Sequence, residues 1–152
     1  MSLTAHQKNL IQDSFAKVEP IAEQAAEIFY NKLFEFDPAL KPLFKGDIKS
    51  QGRKLMAALK LAVRGLDDLD SLVPVLQNMA AKHVEYGVKV DDYTPVGNAL
   101  IHTLKTGLGP AFTPELKDAW VEVYQVMATV MRSHAYPDFN PDQYHNTKTY
   151  NN

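Results

Sequence analysis

In the stretch MAAKHVEYG, residues 79–87, one imidazole stands among apolar neighbours. Helical intervals put Tyr86, His83, Met79, Leu76, Leu72 and Leu69 on a single stripe, so the His83 ring points into the core. A neutral imidazole facing an apolar interior can donate a lone pair to a metal, or it can be a core histidine whose nitrogens have found hydrogen-bond partners. The residue alone leaves both open. Other chemistries are excluded outright: the chain has no cysteine, hence no disulfide, thiolate metal ligand or nucleophilic thiol. It also lacks a GxGxxG-type nucleotide loop.

The elements that must position His83 read as helices throughout, without a convincing run of alternating β-branched residues. Thr4 is placed to cap a first helix carrying Leu10, Ile11 and Phe15. Pro20 suits the first turn of a second that runs to about Phe36. DPALKPLF, residues 37–44, reads as a short helical turn broken by proline and ending on an aromatic. Ser50 opens the next helix, with Leu55, Met56, Leu59, Ala62, Val63 and Leu66 at intervals of three and four. The helix of His83 is expected in two pieces, because Pro74 lacks an N–H, and to stop at Gly87. Tyr93 to Leu108 forms another helix. A last one is capped by Thr113 and carries Leu116, Trp120, Val123, Met127 and Val130. The segment 136–152 has prolines and no period, and is expected to be a flexible extension of a 1–135 domain.

A chain of 152 residues matches one domain and buries about 70% of its unfolded surface, enough for a core without staples. Sixteen basic residues against eighteen acidic give a net charge of −2, and no Lys/Arg cluster forms, so nucleic acid is not an expected partner. The first residues, MSLTAHQKNLIQDSF, contain neither a signal-peptide core nor a membrane span. A cytoplasmic, soluble protein is the expectation.

Six or seven helices with no sheet suit a bundle or a globin-like packing. The run EIFYNKLFEFDPALKPLF, then SQGRKLM, AAKHVEYGVKVDDY and AWVEVY, resembles the single-domain bacterial haemoglobins, the globin part of flavohaemoglobins and, more distantly, neuroglobin. The resemblance spans about residues 5 to 135 and implies an all-α globin fold, a three-over-three helical sandwich. It also implies haem b as cofactor. On it, His83 matches the proximal ligand of haem iron, and its other nitrogen needs an acceptor to fix the tautomer. Phe44 matches the ring that packs flat on the porphyrin, Tyr30 the distal hydroxyl, and Gln51 with Leu55 the distal polar residue and apolar gate. Lys54 would reach a haem propionate, and Met79, Val88, Tyr93 and Val96 would line the cofactor. Each has a plainer reading: Phe44 as a core aromatic, Tyr30 as a tyrosine bonded to a backbone carbonyl, Lys54 as a solvated lysine.

The sequence departs from the flavohaemoglobin pattern where a glutamate would partner Tyr93, since Ala135 stands there. This weakens electron push from the proximal side and argues against a peroxidase. Two distal donors, Tyr30 and Gln51, would slow oxygen release by on the order of a hundredfold over an apolar pocket. The resemblance thus implies a high-affinity oxygen-binding globin, with O2, NO and CO as ligands, acting as monomer or homodimer. An NO dioxygenase served by a separate reductase is the alternative in the enzyme class, and a non-haem interaction domain is the alternative without cofactor.

Overall fold

The computed structural model describes residues 3–44, 47–85 and 92–136. Six α-helices carry these residues: α1 (Ala5–Val18), α2 (Ala22–Phe36), α3 (Ile48–Arg64), α4 (Leu69–Glu85), α5 (Tyr93–Leu108) and α6 (Pro114–Ala135). Short 3-10 turns at Glu19–Ile21, Pro38–Leu43 and Gly109–Ala111 join them. Among the described residues there is no strand.

Local chemistry explains the helix ends. Thr4 and Gln7 form a reciprocal capping box on α1, and the Thr113 hydroxyl accepts from the Leu116 N–H at the start of α6. Gly109, at φ 54°, ends α5 in a conformation that side-chain-bearing residues avoid. Two boundaries differ from expectation. Asp47, not Ser50, caps α3, its carboxylate accepting from the Lys49 N–H. Helix α4 is one continuous helix through Pro74. Pro74 is its sixth residue, and the first four N–H groups of any helix bond to nothing within it, so the proline removes one early bond and not the middle of the ladder.

Packing forms two layers of three. Helices α2, α5 and α6 make one, and α1, α3 and α4 cross it, with α2 against α5 and α3, α4 against α6, and α1 against α6. This is the three-over-three arrangement. Between the layers lie Ile11, Leu33, Leu66 and Trp120, all essentially without solvent contact. The Trp120 indole N–H, which must find an acceptor once buried, donates to Ser14 Oγ at 2.9 Å. Ser14 in turn donates to the Ile11 carbonyl at 2.9 Å.

One pairing is nearly absent. Helices α3 and α4 follow each other in the chain across the short Gly65–Asp68 turn, yet among the described residues they make almost no contact. The face of α3 that bears Gln51 and the face of α4 that bears His83 are therefore not packed on each other, which makes the space between them a candidate cleft.

Candidate cofactor cleft

On the α4 wall, the His83 ring is half-buried, and its Nδ1 lies 2.6 Å from the carbonyl oxygen of Met79, one turn earlier. A carbonyl can only accept, so Nδ1 carries the hydrogen and Nε2 carries the lone pair. Burial holds the imidazole below its ordinary pKa, against the opposing pull of the Met79 carbonyl, which favours the neutral ring. Among the described residues no group of three or more His, Cys, Asp or Glu side chains could hold a bare metal ion. His83 can thus serve as a metal ligand where a cofactor brings the remaining donors.

Met79 is half-buried and packs on the core beside this ring, as does Val96 on α5. Tyr93, at the start of α5, is 4% exposed, its ring centroid 6.4 Å from that of His83. Its hydroxyl is buried and turned toward the Tyr136 phenol. Arg132 of α6 lies over the ring, 5.3 Å from its centroid, and Tyr124 donates to the Tyr93 backbone carbonyl at 2.6 Å. Burial raises the Tyr93 phenol well above its usual range, reinforced by Tyr136 and opposed by Arg132. Val88 lies outside the described residues.

On α2, Tyr30 is 5% exposed and sits in an aromatic cluster. Its ring meets Phe29 edge-on at 5.0 Å and Phe44 edge-on at 5.3 Å, and Phe34 closes the group at 5.4 Å from Phe44. Burial pushes the Tyr30 phenol up to about 12, so it is a donor at any physiological pH. Neither its hydroxyl nor the half-buried Gln51 amide bonds to another described residue. The plainer expectation for Tyr30, a bond to a backbone carbonyl, is not met.

Gly52 marks a close approach of the two helices. A Cβ built there would lie 2.8 Å from Ala26 Cβ and 3.9 Å from Tyr30 Cε2, so α3 rides close on α2 beside the Tyr30 ring. Leu55, one turn on, is half-buried and lines an apolar cavity of ≈ 10 Å³ with Phe29, Met56, Leu59, Leu104 and Trp120. Lys54 is exposed on the outer side of α3.

The residues present fit a haem: two helices with almost no mutual contact, a tautomer-fixed imidazole on α4, and on α2 and α3 two polar groups without a hydrogen-bond partner among the described residues. Sequence reasoning left three parts unassigned. The acceptor for His83 is a backbone carbonyl, recoverable from the i, i−4 relation of Met79 and His83. The aromatic support from Phe29 and Phe34, and the Gly52 crossing, depend on how α2 meets α3 and have no local signature.

A globin family model matches residues 27–131. Neuroglobin of Danio rerio is 32% identical over 143 residues, covering 85% of this chain and 90% of that protein, and neuroglobin of Tetraodon nigroviridis is 32% identical with the same coverage. Among solved structures, an engineered carbene transferase described as a nitric oxide dioxygenase from Rhodothermus marinus superposes with a TM-score of 0.81 at 26% identity, covering 90% of this chain and 95% of that one.

Proposed function

The chain belongs to the globin family, whose members bind haem and gaseous ligands such as dioxygen, and from that membership we propose a tight dioxygen-binding role built on haem b within residues 1–135. The observation that carries it is the His83 Nδ1 bond to the Met79 carbonyl, which presents Nε2 as the protein's iron donor. When bound, haem supplies an iron centre that coordinates diatomic gases.

The chain's own residues do the rest. His83 holds the iron, and its partner is a neutral carbonyl, so the ring keeps little anionic character. Phe44 and Met79, with Tyr93, Val96 and Val88, line the ring, while Lys54 reaches a propionate at the rim. Tyr30 and Gln51 donate to bound dioxygen, and each bond to a partly charged acceptor contributes about 1.5–2 kcal/mol. Leu55 and the aromatic cluster exclude water. The 136–152 segment is an extension outside this unit.

Titrating the purified chain with haem tests the reading. An intense Soret band is expected, lost or greatly weakened in His83→Ala, and Tyr30→Phe should speed dioxygen dissociation about tenfold. A His83→Ala protein that keeps a normal ferrous spectrum would exclude His83 as the ligand. An unchanged dissociation rate would remove Tyr30 as main donor.

The structural neighbour described as a nitric oxide dioxygenase favours a second reading, conversion of nitric oxide and dioxygen to nitrate with a separate reductase restoring ferrous iron. Rapid mixing of the dioxygen-loaded protein with nitric oxide, followed by nitrate assay, separates it from simple binding.

A further inference from the structure

Tyr93 and Tyr136 are not needed to bind a gas, yet they continue a line of aromatic rings away from His83. The His83 and Tyr93 centroids are 6.4 Å apart, and those of Tyr93 and Tyr136 are 6.5 Å apart in an edge-on contact. Tyr93 is buried, whereas Tyr136 follows the end of α6 and is half-exposed. The line therefore runs from the cofactor cleft to water in two short steps.

Resting on the haem reading, we infer that Tyr93 and Tyr136 form a path by which an oxidising equivalent left on the cofactor by hydrogen peroxide is carried to the surface. The peroxide O–O bond breaks as peroxide takes two electrons from the cofactor: one oxygen leaves as water with both peroxide hydrogens, and the other stays with the cofactor. One of the two vacancies is refilled by an electron from Tyr93, which takes one from Tyr136. The Tyr136 O–H bond then breaks, its proton passing to water at the exposed edge and a neutral tyrosyl radical remaining; the second vacancy stays at the cofactor. A phenol yields an electron only to such a strong oxidant, so the path runs outward and does not serve reduction of ferric iron.

Local charge sets where the radical rests. The Arg132 guanidinium over the Tyr93 ring disfavours positive charge there, and the Tyr93 hydroxyl, buried and turned toward the Tyr136 phenol, has no solvent of its own to take its proton. Tyr93 is thus a stepping stone. Tyr136 has solvent at hand and the Asp92 carboxylate nearby, whose field reaches its phenol.

Freeze-quenched electron paramagnetic resonance of the haem-loaded ferric protein, mixed with equimolar hydrogen peroxide, tests this. A spin-trap adduct located by mass spectrometry gives the residue. Wild type should carry the adduct on Tyr136; Tyr136→Phe should lose it and lower the tyrosyl yield several-fold, and Tyr93→Phe should do the same with Tyr136 intact. Adduct on Tyr30 or Tyr124, or wild-type yield on Tyr136 in Tyr93→Phe, overturns the inference while the Soret band upholds the haem reading. Absence of a Soret band after haem addition overturns both.

Discussion

Tyr30 illustrates how burial turns an ordinary side chain into a committed donor. Its phenol gains no compensating partner among the described residues, so burial penalises the charged form and raises it to about 12 from 10.0. Between those values the folded chain keeps a proton that the unfolded chain releases, so stability falls as pH rises through that window. In urea unfolding of the haem-free protein, Tyr30 should contribute about 1 kcal/mol of the loss between pH 9 and pH 11. Tyr30→Phe should flatten the alkaline limb by that amount while leaving the neutral region nearly unchanged. An equally steep limb in the variant would mean that the phenol ionises freely in the folded state. His83 shows the limit of reading residues one at a time: its stripe position was plain from periodicity, whereas its Met79 acceptor follows only once the residue four positions earlier is read with it.

Elements were legible where their ends depend on local chemistry. The Thr4 box, the Thr113 cap followed by Pro114, and the α5 limits at Tyr93 and Leu108 all follow from side chains within a few residues. Pro74 misled because its cost depends on its place in the ladder, and Ser50 because Asp47, immediately before α3, takes the cap. The crossing of α2 and α3 was invisible for a different reason: it rests on Gly52 meeting Ala26, residues without apolar periodicity to mark them. Gly52→Ala should force the helices apart, lowering unfolding free energy by about 1–3 kcal/mol and disturbing the Tyr30 ring beside it. Ala26→Gly removes the opposing methyl, so the double variant should regain most of the loss. Additive destabilisation in that double-mutant cycle would show that the contact does not set the crossing.

At the scale of the whole molecule, the fold is a bundle with one side left open. Among the described residues, helix α4 has its substantial helical contact with α6, while α3 leans on α2 and α1, and the Gly65–Asp68 turn joins α3 to α4. Burying a flat cofactor between them would supply the missing contacts to both, and a ligand bound only by the folded state stabilises it by about 4 kcal/mol at a concentration a thousandfold above its Kd. For a chain of this length that corresponds to a rise in Tm of roughly 10 °C. The gain should be unevenly spread. Hydrogen exchange of the haem-free protein should show α4 amides opening far more readily than those of α2, α5 and α6, because α4 forfeits its second face, and haem should restore α4 protection above all. If α4 in the haem-free chain is protected as well as α6, the cleft closes on its own side chains, and the open side is not where the cofactor binds.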